Sequence, residues 1–134
     1  MTRAAVLLGI LMLILTACSG DAVAEVYTAA GDATDPGELT ATTRFAADDD
    51  LNVVVRLNPH TRSVALRAVF LGPDGTQIAT DTLEAEPTVG EVLLGLDWEV
   101  LGSGDWPAGD WQVEVYADDA RFSTLDFAVQ ARPE

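Results

Sequence analysis

The alternation of apolar and polar residues with a period of two constrains this chain more than any other feature. Leu51, Val53, Val55 and Leu57 alternate with Asn52, Val54 and Arg56, the pattern of a strand with one strongly apolar face. Val64, Leu66, Ala68 and Phe70 alternate with Ala65, Arg67, Val69 and Leu71. Apolar residues there occupy both faces, which suits a central strand of a sheet. Trp111, Val113 and Val115 alternate with Gln112, Glu114 and Tyr116, and Leu125, Phe127 and Val129 form the apolar face of a segment over 121–130. Side chains that switch faces at every residue are buried only when strands pair and one face of the sheet is covered. Beyond residue 17 no segment carries the 3.6-residue period of an amphipathic helix.

Weaker strand signals lie over 22–30, the Thr-rich 39–45, 76–83 and 89–96. Turn chemistry separates them: Gly31-Asp-Ala-Thr-Asp-Pro-Gly37, Asp48-Asp49-Asp50, Asn58-Pro59-His60-Thr61, a loop over 84–87 and a Gly-rich connection over 97–110. Gly72-Pro73-Asp74-Gly75 and Trp106-Pro107-Ala108-Gly109 each place Pro second and Gly fourth, the preference of a type I turn. Asp118-Asp119 predicts a hairpin turn. Short strands spaced by roughly 8–12 residues predict an all-β chain, a single β-sandwich of about seven strands.

The segment Trp106-Pro-Ala-Gly-Asp-Trp-Gln-Val-Glu-Val-Tyr116, a two-residue turn and a strand closing in Phe127-Ala-Val129 resemble the terminal hairpin of immunoglobulin-like domains in bacterial envelope proteins. The likeness extends over residues 39–130, with the Val-Ala-Leu-Arg-Ala-Val-Phe strand and the Gly-Pro-Asp-Gly turn in its middle. It departs at Asp118-Asp119-Ala120, where such hairpins usually carry Asp-Gly or Asn-Gly, and it lacks paired cysteines. The resemblance implies an immunoglobulin-like fold. It implies little about function, because this sandwich hosts many unrelated roles.

Arg3, the charge-free run from Ala4 to Leu15 and the small residues Thr16 and Ala17 follow the order of a helical secretory signal peptide over 1–17. The run is too short to cross a hydrocarbon core about 30 Å thick, which takes roughly 20 apolar residues. Leu15-Thr16-Ala17-Cys18 resembles the lipobox of bacterial lipoproteins, which implies cleavage before Cys18 and acylation of its sulfur. Residues 18–38 are then a lipidated tether with a first strand or loop, and 39–134 the sandwich, with 22–30 as its candidate first strand. The implied location is lipid-anchored on a cell membrane or outer membrane, facing the periplasm or the exterior.

Seven arginines, no lysine and 22 acidic residues give a net charge of −15. Loss of residues 1–17 removes Arg3 and takes the charge to −16. Such a balance excludes nucleic acid as a partner, since phosphate binding needs clustered cations, and it opposes docking on anionic lipid through surface charge. The attached lipid must therefore hold the protein at the membrane. Cys18 is the only cysteine and His60 the only histidine, so neither disulfides nor multi-histidine metal sites are expected. A dense carboxylate surface without lysine reads either as a GC-rich codon bias or as adaptation to high salt.

The candidate sites are few. Asp48, Asp49 and Asp50 offer carboxylate oxygens to Ca²⁺, which takes 6–8 oxygen ligands, but they lack EF-hand spacing and also read as a solvated turn. Trp98 and Trp106 are candidates for an exposed aromatic surface for sugars or a protein. Trp106 equally reads as a plug over the sandwich end, and Trp111, in phase with Val113, as core. Arg56 and Arg67 sit on strands expected to be neighbours and could grip an acidic ligand, with internal ion pairs as the plainer reading. His60 lacks a nucleophile motif. No pair of carboxylates is marked out for acid-base work, and no Gly-rich phosphate loop precedes a helix. The expectation is a non-catalytic envelope module with a protein partner and no cofactor; the alternative is a Ca²⁺- or carbohydrate-binding sandwich acting through residues 84–87 and 97–110.

Overall fold

Ten strands form among the described residues, which in the computed structural model are 22–32, 34–101 and 104–133. The expected signal peptide over 1–17, with Leu15, Thr16 and Ala17, and the expected lipidation residue Cys18 lie outside them. One sheet has the order β2 (Thr40–Ala41), β1 (Val23–Ala30), β4 (Leu51–Leu57), β8 (Glu91–Leu96). The other runs β3 (Arg44–Ala46), β10 (Ala120–Gln130), β9 (Gly109–Ala117), β5 (Val64–Leu71), β6 (Gln77–Ala79), with β7 (Leu83–Ala85) also on β5. All pairs are antiparallel except β3 with β10. The chain is an immunoglobulin-like β-sandwich.

The period-two pattern dictates what is inside. Leu51, Val53 and Val55 of β4 and Leu94 and Leu96 of β8 meet Leu66, Ala68 and Phe70 of β5 and Trp111, Val113 and Val115 of β9 in one buried cluster. Phe127 of β10 makes edge-to-face contacts with Phe45 at 5.2 Å and Phe70 at 6.1 Å, and it stacks on Trp111 at 5.8 Å. Such pairs add about 0.5–1.5 kcal/mol each beyond the area they bury. This apolar core holds the sandwich together.

About seven strands were expected, and the eight candidate segments give ten because two of them divide. The Thr-rich stretch over 39–45 starts in one sheet as β2 and ends in the other as β3. Thr42 makes the switch: its N–H donates to Thr28 O, while its hydroxyl accepts from the Arg44 N–H and donates to Arg44 O. A hydroxyl that bonds its own backbone two residues on bends the chain locally. The stretch over 76–83 divides at Thr80, whose N–H donates to Ala68 O while its hydroxyl accepts from the Ala68 N–H. β6 and β7 consequently pair with opposite ends of β5. The expected loop over 84–87 is thereby corrected: Glu84 and Ala85 belong to β7, and the turn is closed by the Val89 N–H donating to Glu86 O.

The turns expected at Gly72–Gly75 and Asp118-Asp119 form, whereas among the described residues no Gly109 N–H to Trp106 O bond closes the turn expected at Trp106–Gly109, and Gly109 (φ 133°) begins β9. Gly75 (φ 88°) takes the left-handed position after Pro73-Asp74, and Thr76 O accepts from the Gly72 N–H. Asp118 (φ 50°) and Asp119 (φ 66°) both have positive φ, the geometry of a type I′ hairpin turn without glycine. At Gly95 a Cβ would lie 2.5 Å from Asn52 Oδ1. That leaves Asn52 room to donate from Nδ2 to Gly31 O, which ties Gly31 to β4.

Candidate functional site

Strand direction sorts the loops onto two ends. β1 enters from Ala22 at one end, together with the turns after β4 and β7 and the β9–β10 hairpin tip. Asn58 donates its N–H to Ala22 O, and Asp118 donates its N–H to Ala65 O while its Oδ1 accepts from the Ala65 N–H. At the opposite end lie residues 31–32, 34–39, 47–50, 72–76, 97–101 and 104–108. There Gly31, Asp32, Asp48, Asp49, Asp50, Asp97, Trp98 and Glu99 line a crevice of about 600 Å³. Six of these eight residues are acidic, and the crevice is the candidate site.

The triad Asp48-Asp49-Asp50 reaches this crevice, but each member is engaged in holding loops. Asp48 pairs with Arg132 at 3.4 Å. Asp49 accepts from the Ala46 N–H through Oδ2 at 2.7 Å, and its carbonyl accepts the Trp106 indole N–H at 2.7 Å. Asp50 accepts from the Trp98 N–H at 2.9 Å, capping the short helix α1 (Trp98–Leu101). Among the described residues no three Asp, Glu, His or Cys side chains converge to hold a metal ion. The oxygens of the triad face different partners rather than a common centre.

The tryptophans divide as well. Trp106 is 3% exposed and packs edge-to-face on Trp111 at 6.2 Å, so its reading as an exposed binding surface is corrected. Its N–H and carbonyl-accepting turn partners explain why: the backbone N–H donates to Ala47 O and the indole to Asp49 O, pinning the ring as a plug between two loops. Trp98 is half-buried, with its indole N–H on Gly104 O and the Arg132 guanidinium 5.6 Å from its ring centre. Arg132 also binds Asp105 at 2.8 Å, and this hydrogen bond raises its already high pKa. One cation thus ties Asp48, Asp105 and Trp98 together.

Arg56 and Arg67 do not converge. Arg56 lies on β4 and pairs with Glu25 at 3.2 Å and Glu91 at 3.7 Å, whereas Arg67 lies on β5 in the other sheet, 4.0 Å over the Tyr116 ring and 3.9 Å from Asp119. His60 sits at the end where Ala22 enters. Nδ1 faces Asn58 O at 2.9 Å, and Nε2 faces Glu86 O at 2.9 Å and Ala85 O at 3.3 Å. Carbonyls accept only, so both ring nitrogens donate when the ring is an imidazolium. The Asn58 carbonyl chiefly raises its pKa, desolvation opposing.

Sequence reasoning missed Asp32, Asp105 and Arg132. Their only signal was charge beside a turn, and their convergence is made by the strand order.

No family model matches the chain, and no curated protein matches it. Among solved structures it is similar to an immunoglobulin-like protein from Pseudomonas aeruginosa, 15% identical, with a TM-score of 0.50 over 81% of this chain and 94% of that one. It is also similar to the sensor domain of an anti-sigma factor from Pseudobacteroides cellulosolvens, 10% identical, with a TM-score of 0.50 over 82% and 96%. At these identities the likeness carries the immunoglobulin-like fold alone.

Proposed function

We propose that this chain is a lipid-anchored, non-catalytic interaction module of a bacterial cell envelope that presents its acidic loop end to a partner protein. The observation that carries the proposal joins sequence to topology. Cys18, the lipidation residue of the lipobox reading, lies four positions before Ala22, and Ala22 stands at the end of the sandwich opposite the acidic crevice. An anchor at Cys18 directs Asp32, Asp48, Asp97, Trp98 and Glu99 away from the bilayer. Two or three acyl chains suffice for durable attachment, since each buried CH₂ contributes about 0.8 kcal/mol.

The engagement of the titratable groups supports a binding role over a catalytic one. His60 is held by three carbonyls, and the Asp48–Asp50 carboxylates brace loops. An acidic end loop on a rigid scaffold is a binding element, and its charge selects a basic partner surface. Mass spectrometry of the membrane-extracted protein tests the anchor. The expected N-terminal peptide begins at Cys18 and carries acyl chains, and Cys18→Ala releases the protein from the membrane fraction. An unmodified thiol in a membrane-bound protein refutes the anchor. Cross-linking in membranes tests the partner: neutralising Asp32, Asp97 and Glu99 together should abolish the adduct.

A further inference from the structure

β10 is paired along its length with β9, but its other edge takes β3 only at Ala128, Val129 and Gln130. Among the described residues no strand pairs with the outer edge of residues 120–127. An open edge of this length is a template for another strand. Two features decide which strand fits. The register against β9 slips between Arg121 and Ser123, a bulge that a flat strand does not match. Phe122, 37% exposed, sits at that bulge, and Leu125 follows it on the same edge.

We propose that this edge pairs antiparallel with the same edge of a second copy of the chain, about a twofold axis through Thr124. Thr124 then meets Thr124, Ser123 meets Leu125, and the bulged pair Arg121 and Phe122 meets Asp126. Because the contact is isologous, the bulge of each copy meets Asp126 of the other, and the contact occurs twice. Arg121, Thr124 and Asp126 stand opposite Tyr116, Glu114 and Gln112 of β9 and share one face, so the Arg121–Asp126 contact joins opposite charges on a common face, twice. Opposite charges paired across strands are favourable and like charges unfavourable. Pairing ends where β3 begins. A seam of balanced charge thus runs along a protein of net charge −15. The inference rests on the edge and stands whether or not Cys18 is acylated.

Sedimentation equilibrium of the full chain in a density-matched detergent is the test. The native chain is expected to be a dimer. R121D and D126R should each weaken association by at least about tenfold, and the combined R121D/D126R chain, which exchanges the two ends of one pair, should recover it. A monomeric native chain, unaffected single variants or an unrecovered double variant overturns the proposal. Arg121 also pairs with Glu114 at 3.0 Å within its own chain, so circular dichroism checks each fold. If a variant unfolds, cross-linking decides: in a Cys18→Ser chain, Thr124→Cys should give a covalent dimer with a short bismaleimide and Asp81→Cys, on the far edge of the sheet, should not. Equal yields, or none at Thr124→Cys, overturn the proposal.

Discussion

Single residues in this protein carry roles set by what their polar atoms reach. His60 closes the end where the chain enters, its ring bridging the turn after β4 to the turn after β7. Its pKa is raised in the folded state, so its stabilising contribution is complete below the unfolded value of about 6.5 and is lost as pH rises through the folded value. Thermal melts of the native chain and His60→Gln, which cannot take the charge, should therefore differ most in mild acid and converge toward mild alkali. A constant difference across that range would show that packing, and not the imidazolium, makes the contact. Asp74 works in the opposite sense. The Thr76 hydroxyl and N–H hold its carboxyl below the usual range, and that contribution is lost in acid.

At the scale of elements, threonine hydroxyls decide where strands divide. Thr80 continues the ladder on β5 by offering its side-chain oxygen to the buried Ala68 N–H at 3.0 Å. Thr80→Val keeps the shape and removes the acceptor, leaving that N–H unpaired at a cost of about 1–3 kcal/mol, readable as a lower urea midpoint at unchanged slope. A neutral result would mean that β6 and β7 shift to pair continuously. The β9–β10 hairpin tolerates two non-glycine residues at positive φ because Asp118 secures the turn through the Ala65 N–H. Asp is among the residues that visit the left-handed region at modest cost, and this bond holds it there.

For the whole molecule, charge dominates the response to solvent. Twenty-two acids against seven arginines repel across the surface, and salt screens that repulsion over a Debye length of about 10 Å at 0.1 M. The melting temperature is expected to rise by several degrees between low and moderate NaCl. At matched ionic strength Ca²⁺ should stabilise no more than Mg²⁺, because the Asp48–Asp50 oxygens are committed to Arg132, Ala46 and Trp98. A Ca²⁺-specific rise would mean that these loops rearrange around the ion.

The all-β class, the strands over 51–57, 64–71, 111–116 and 121–130, their inward residues and the turns at Gly72–Gly75 and Asp118-Asp119 were legible along the chain; the structure extends the last two strands to Gly109–Ala117 and Ala120–Gln130. These are local properties: a period of two places apolar side chains on one face wherever the strand ends up, and turn residues act within four positions. The division of the Thr-rich segments, the burial of Trp106, the separation of Arg56 from Arg67 and the gathering of Asp32, Asp48, Asp97 and Glu99 at one end came from the packing of the two sheets. Each depends on which strands become neighbours and in which direction they run. That choice is made by burying the two apolar faces against each other, and contacts between residues distant along the chain leave no periodic trace in it.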